Sequence, residues 1–308
     1  MLKFQTYSLS IKGRRETNQD TCLIFKPRED VLFLAVADGM GGVAGGQIAS
    51  QTVIECCKNI LSDYFKSDVK PSQLKEILIH LFNQAQKSVK RKVEEDPQLR
   101  GMGTTLACVL ILNDKYVWGN IGDSRIYQIS NSKISQITSD HTHMQDFLNQ
   151  HNVKISDKML SNYGHYLTRS IDGGTDEADI LPDVVPYEEL KEGDTFLLCS
   201  DGLITNKVEK DEENILKYLS ATKNLEEAAE NLIGRAFTNG SSDNISIVLC
   251  EYGSVKRKKI KLSYYKLPND EKINSNLIHK SKTKIITSVI IIISILIMIS
   301  FYMGLLKL

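Results

Sequence analysis

VLFLAVADGMGGVAGG (31–46) carries seven apolar residues in a row before an acid and a cluster of glycines. An apolar run of that length, closed by Asp38-Gly39, reads as a strand. The glycines then lead into a helix expected over Gly46–Leu61. Gly39, Gly41 and Ala44 also fit the G-x-G-x-x-A pattern of a dinucleotide-binding turn. Two features oppose that fit, and a third excludes the other phosphate-binding loop. Asp38 would face the pyrophosphate, no alternating βα units follow, and no Lys-Ser/Thr completes a phosphate-binding P-loop. Gly39 reads better as the point where a backbone carbonyl can approach a cation, with Gly41 and Gly42 permitting a tight turn.

The same grammar recurs along the chain. Strands are expected at Tyr7–Lys12, Val31–Ala37, Thr105–Leu112, Tyr116–Ile121, Ile126–Ile129, Thr195–Ser200 and Ile245–Cys250. Asn113-Asp114-Lys115 has the composition of a hairpin loop. Besides Gly46–Leu61, helices are expected at Pro71–Lys92, Glu212–Leu219 and Leu225–Phe237. Leu74, Ile77, Leu78, Leu81, Phe82 and Ala85 form one apolar stripe in the second of these, behind a Pro start. Helices come in two clusters with hairpin strands between them. That order predicts an α+β layered domain and not a doubly wound parallel sheet. Residues 142–166 are polar and poorly periodic, the composition of a lid or binding loop.

Over 308 residues the chain is 42% hydrophobic and 25% charged, a globular balance that excludes disordered and collagen-like classes. Lys plus Arg number 38 and Asp plus Glu 38, so no basic field for nucleic acid is expected. The six cysteines show no CxxC or zinc-finger spacing, which favours a reducing compartment. Ile285–Leu306 is 22 residues without a charge, and a membrane span needs about 20. Lys256, Arg257, Lys258, Lys259, Lys261, Lys280, Lys282 and Lys284 flank it on the N-terminal side. By the positive-inside tendency the domain before it is cytoplasmic, on a single-pass protein of the cell membrane. The expected organisation is a folded domain at 1–252, a basic polar linker at 253–284 and a transmembrane helix at 285–306.

The apolar runs end in aspartate. VLFLAVA leads to Asp38, TFLLCS to Asp201 and YVWGNIG to Asp123, while Asp243 precedes the last strand and Asp20 follows GRRETNQ. One Asp-Gly is a turn signal. Several acids on the ends of one sheet converge, repel and raise one another's pKa, and a divalent cation removes that repulsion. An all-oxygen donor set selects a hard ion, Mg2+ or Mn2+, over Zn2+.

GRRETNQD (13–20), VADGMGG (36–42), GNIGDSR (119–125), TSDHT (138–142), LTRSID (167–172), LLCSDGL (197–203) and SSDNISIV (241–248) together resemble the metal-dependent Ser/Thr protein phosphatases of the type 2C (PPM) family in its bacterial form. The motifs stand in the family's order across nearly all of residues 1–252. The resemblance implies an α-β-β-α sandwich of two antiparallel sheets with a binuclear metal site at one edge. It implies Asp38 bridging two Mn2+ or Mg2+ ions, Asp201 and Asp243 completing the first, and the Gly39 carbonyl and Asp20 serving the second. Asp123 matches the acid that, with Asp201, holds a third, weaker ion. Arg15 matches the phosphate-binding arginine, and Asn244 a hydrogen-bonding neighbour of the metals. Residues 142–166 would be the flap. The implied activity is hydrolysis of phospho-Ser/Thr proteins by a metal-activated water, opposing a Ser/Thr kinase.

One departure stands out. The family usually carries a His within or just after the D-G-x-G-G turn, where it can protonate the leaving group. Met40 and Val43 occupy those places here, and neither transfers a proton. His141 and His143 lie elsewhere and read as structural or flap residues. A non-catalytic phospho-binding module on the same fold therefore stays open as an alternative, with a dinucleotide enzyme behind it.

Overall fold

The computed structural model describes residues 4–151, 166–174, 180–204 and 211–255. The chain divides into two compact units, Met1–Ile273 and Asn274–Leu308. The second unit, the span expected at 285–306 and all but the first three residues of the linker lie outside the described residues. Among the described residues no helix is long and apolar enough to cross a membrane.

The strands are β1 (Phe4–Ile11), β2 (Thr21–Arg28), β3 (Val31–Ala37), β4 (Gly39–Met40), β5 (Gly103–Thr104), β6 (Leu106–Leu112) and β7 (Lys115–Ile121). They continue with β8 (Arg125–Ser130), β9 (Lys133–Gln136), β10 (Ile171–Asp172), β11 (Asp183–Val184), β12 (Glu188–Glu189), β13 (Thr195–Cys199) and β14 (Ile245–Tyr252). The α-helices are α1 (Gly42–Tyr64), α2 (Leu74–Glu95), α3 (His143–His151), α4 (Asp211–Ala221) and α5 (Leu225–Thr238). One sheet runs β1-β14-β13-β8-β9 and the other β11-β7-β6-β3-β2, with β12 also on β7. A small third sheet runs β10-β5-β4. The strand pairs are antiparallel.

The apolar runs are continuous because the central strands have a core on each face. In β3, Val31, Phe33, Ala35 and Ala37 pack towards α1 and α2. Leu32, Leu34 and Val36 enter the layer between the sheets. There they meet Phe196 and Leu198 of β13 and Val248 and Cys250 of β14. The opposite residues of those strands, Leu197, Cys199, Ile247 and Leu249, face Leu232 and Ile233 of α5. The result is helix, sheet, sheet, helix: the α+β layering that the strand and helix pattern predicts, in the sandwich that the family resemblance implies. Each such buried side chain contributes roughly 1.5–3 kcal/mol by leaving water, so three stacked cores make a stiff frame for whatever projects from the sheet edge.

Besides the short strands β4, β5, β9, β10, β11 and β12, two longer elements, β2 and α3, were not expected from the sequence. β2 contains Lys26 and Pro27, which break the apolar pattern. It is an edge strand, and its register against β3 shifts between Phe25 and Arg28, where a residue without a backbone N–H is tolerated. The helix α3 opens the segment read as a loop.

Candidate active site

The antiparallel register gathers the acids. Ala37, the last residue of β3, pairs with Thr21, the first of β2, so Asp38 and Asp20 leave neighbouring strands at one edge. Cys199 of β13 pairs with Arg125 on one side and Ile247 on the other, which brings Asp201, Asp123 and Asp243 to the same edge. Ile11 pairs with Ile245, delivering the Arg15 loop there too.

Their charges interact. Burial holds the Asp38 carboxyl well above the usual carboxylate range, and the charges of Asp20, Asp201, Asp123 and Asp243 add to it. Asp20 is pushed up to about 7, first by burial; hydrogen bonds from Ser246 and Ser200 oppose the shift, while Asp201 and Asp243 reinforce it. Asp123 is likewise pushed up to about 7 by burial, then by Asp201 and Asp140, with Arg125 pulling the other way. A cluster of acids that cannot all ionise comfortably in water-poor surroundings is a site for a cation.

The backbone around Asp38 is fixed by hydroxyls. Its N–H donates to Thr105 Oγ1 at 2.9 Å. Its carbonyl accepts from the Thr105 N–H at 2.9 Å and from Thr104 Oγ1 at 2.8 Å. Thr105 Oγ1 lies 2.7 Å from Ser124 Oγ, next to Asp123. Gly39 cannot be replaced without disturbance, because a Cβ there would run into the Gly46 carbonyl. Asp20 Oδ2 accepts from Ser200 Oγ at 2.8 Å. Its other oxygen, Oδ1, is buried with no hydrogen-bond partner.

Arg15 reaches the same acids. Its Nη2 donates to Asp243 Oδ2 at 2.7 Å and its Nε to the Ser242 carbonyl at 3.1 Å. Among the described residues no three His, Cys, Asp or Glu side chains form a ready ligand set as they lie. The donors nevertheless suit a hard divalent ion: carboxylates with mutually raised pKa values, one orphaned buried oxygen and a closely approached glycine carbonyl. Asp38, Asp20, Asp201, Asp243 and the Gly39 carbonyl offer donors for two such ions, and Asp123 lies close enough to feel the charge of Asp201.

The protein phosphatase 2C family model matches residues 10–235. The chain belongs to that family. The serine/threonine phosphatase stp of Listeria welshimeri is 33% identical over 244 residues, covering 78% of this chain and 92% of that protein. A crystal structure of the catalytic domain of the phosphatase PstP in complex with two manganese ions aligns with a TM-score of 0.69 at 30% identity, over 82% of this chain and all of that one (100%). Stp1 from Staphylococcus aureus aligns with a TM-score of 0.72 at 26% identity, over 82% and 96%. The manganese pair belongs to that PstP structure, and its two ions agree with a two-metal site in a type 2C phosphatase.

Two features depart from the usual type 2C pattern or refine it. Met40 is half-buried, with its methyl against Gly103, so the D-G-M-G-G turn offers packing where the family usually has an imidazole. Asn244 spends its amide on the Arg15 loop: Oδ1 accepts from the Gln19 N–H at 2.9 Å, and Nδ2 donates to the Lys12 and Thr17 carbonyls at 2.8 Å each. It therefore aims residues 12–19. His141 is buried and held below the usual histidine range by that burial, with Asp183 opposing the shift. His143 is exposed at the start of α3. Sequence reasoning missed Thr104, Thr105, Ser124 and Ser200, the hydroxyls that hold Asp38 and Asp20. Their one visible signal is Thr104-Thr105 at the mouth of the LACVLIL run.

Proposed function

We propose that this chain is a divalent-cation-dependent protein serine/threonine phosphatase, anchored in the membrane by residues 285–306 with its catalytic domain in the cytoplasm. The observation that carries the reading is the convergence of Asp20, Asp38, Asp123, Asp201 and Asp243 on one sheet edge in a chain of the type 2C family. Bound there, divalent cations would neutralise a phosphomonoester dianion and lower the pKa of a water. Mn2+ and Mg2+ both suit the oxygen donors. The protein's own residues supply the rest. Asp38, held by Thr104 and Thr105, keeps its carboxylate at a fixed point of the edge. Arg15, on a loop pinned by Asn244, offers a guanidinium to phosphate oxygens. A phosphatase of Ser/Thr phosphoproteins presupposes a kinase that installs the phosphate, and an anchored one favours substrates at the same membrane by raising their effective concentration.

Met40 and Val43 favour one other reading, a phosphopeptide-binding module that does not turn over. Phosphate release from a phosphothreonine peptide by the full chain separates the two. Turnover with Mn2+ or Mg2+ that EDTA abolishes supports the enzyme. Peptide binding with no release under any metal would replace it with the binding module. For the anchor, the full chain should stay with membranes through a carbonate wash while residues 1–252 are released. A washed full chain in the supernatant would refute it.

A further inference from the structure

Asp123 stands on the turn between β7 and β8, and residues 140–141 grip that turn on both flanks. On the C-terminal flank, Arg125 lies against Asp140, Nε to Oδ1 at 2.9 Å and Nη2 to Oδ2 at 2.6 Å. On the N-terminal flank, His141 holds Gly122 twice. The His141 N–H donates to the Gly122 carbonyl at 3.0 Å, and the Gly122 N–H donates to His141 Nδ1 at 3.2 Å. Gly122 has φ +101°, and a Cβ there would press on Thr105, so the turn is both strained for other residues and tightly seated.

The hydrogen bonds assign the tautomer. Nδ1 accepts, so Nε2 carries the proton and donates to Asp183 Oδ2 at 3.2 Å. Arg169 Nη1, 3.3 Å from Nε2, finds its acceptors in Asp183 Oδ1 at 3.3 Å and the Leu181 carbonyl at 3.2 Å. Asp183 pairs in turn with Asn120 of β7, two residues before Gly122. The His141 carbonyl accepts from the Thr168 N–H at 2.9 Å, beside the Thr142–Leu167 bridge. With both nitrogens committed, His141 is not a spare proton donor for the missing imidazole.

We propose that His141 is a positioning residue for Asp123: it clamps the Gly122 peptide and ties that turn to Asp183 and Arg169 and to the Thr142–Leu167 bridge. The inference rests on the phosphatase reading in so far as Asp123 holds a cation. A histidine that merely fills the core would be replaceable by any side chain of similar size and polarity. The clamp demands an acceptor at the place of Nδ1.

His141→Asn keeps an amide atom near the place of Nδ1, whereas His141→Gln carries its amide out to the place of Nε2. Both are polar and of similar size, so they share the cost to the fold. Two quantities are read on the full chain: Mn2+ affinity by calorimetry, and amide hydrogen exchange of segment 120–125 without metal. His141→Gln should speed exchange of that segment and weaken the loosest-bound Mn2+ about 10–100-fold, as loss of a supporting hydrogen bond does at metal sites. His141→Asn should restore both towards wild type. Equal behaviour of the two variants, or wild-type exchange and affinity in His141→Gln, would overturn the clamp. Wild-type protein that binds no Mn2+ would sink the phosphatase reading instead. The exchange arm would then still decide the clamp by the same criterion.

Discussion

At Asp38 three hydrogen bonds shared with Thr104 and Thr105 settle the backbone before the carboxylate meets anything. Charge and placement are thus separable by substitution. Asp38→Asn removes the charge and keeps the shape. If Asp38 bridges the cations as proposed, turnover should fall at least about a thousandfold, because that loss costs several kcal/mol of charge stabilisation. The metal-free melting temperature should hold or rise, since a repelling charge has left the cluster. Wild-type kinetics in this variant would end the two-metal account. Thr105→Val tests placement instead. It strips the acceptor from the Asp38 N–H and the partner from Ser124, and should cost about 1–3 kcal/mol in urea unfolding. Thr105→Ser keeps the hydroxyl and should recover most of that loss.

Elements differ in how plainly the sequence announced them, and the reason is packing. The bounds of β3 are those read from the sequence, because a strand with a core on each face has no polar residue to blur its ends. β2 was missed because an edge strand tolerates Lys26 and Pro27. β4, β5 and β10 have two residues each and carry no periodicity to read. The same split holds at the site. Asp38, Asp123, Asp201 and Asp243 were legible because each closes or precedes an apolar run, whereas Asp20 was legible from the GRRETNQD motif. The hydroxyl network was not, because it joins residues as far apart as Ser10 and Ser246, whose Oγ atoms lie 2.7 Å from each other. Asn244 shows both sides: its place beside Asp243 was readable, but its three bonds to the 12–19 loop belong to the tertiary fold. Asn244→Ala orphans those backbone groups. It should cost about 1–3 kcal/mol of stability and, by freeing the Arg15 loop, raise KM for a phosphopeptide more than it lowers kcat. A KM unchanged in a folded variant would mean that loop does not bind substrate.

For the whole molecule the acid cluster makes stability depend on pH and on cations together. Burial and neighbouring charge push Asp20 and Asp123 up to about 7 in the folded chain, from 3.8, and hold Asp38 well above the usual carboxylate range. Between those values the folded chain binds more protons than the unfolded one. The stability this contributes is therefore full below about pH 4 and is lost as pH rises towards 7, by on the order of 1 kcal/mol per acid per pH unit. Asp30 acts oppositely: its bonds from Arg28 hold it below 3.8, so its contribution is lost only on acidification. In EDTA the melting temperature should accordingly fall from pH 5 to pH 8. Mn2+ binds the ionised acids and takes away the repulsion, so the rise in melting temperature that it causes should grow over the same interval. Scanning melts at pH 5, 6, 7 and 8, with EDTA and with Mn2+, read both slopes at once. A melting temperature in EDTA that climbs steadily to pH 8 would show that the acids do not crowd one another. A Mn2+ shift independent of pH would place the ion on other ligands.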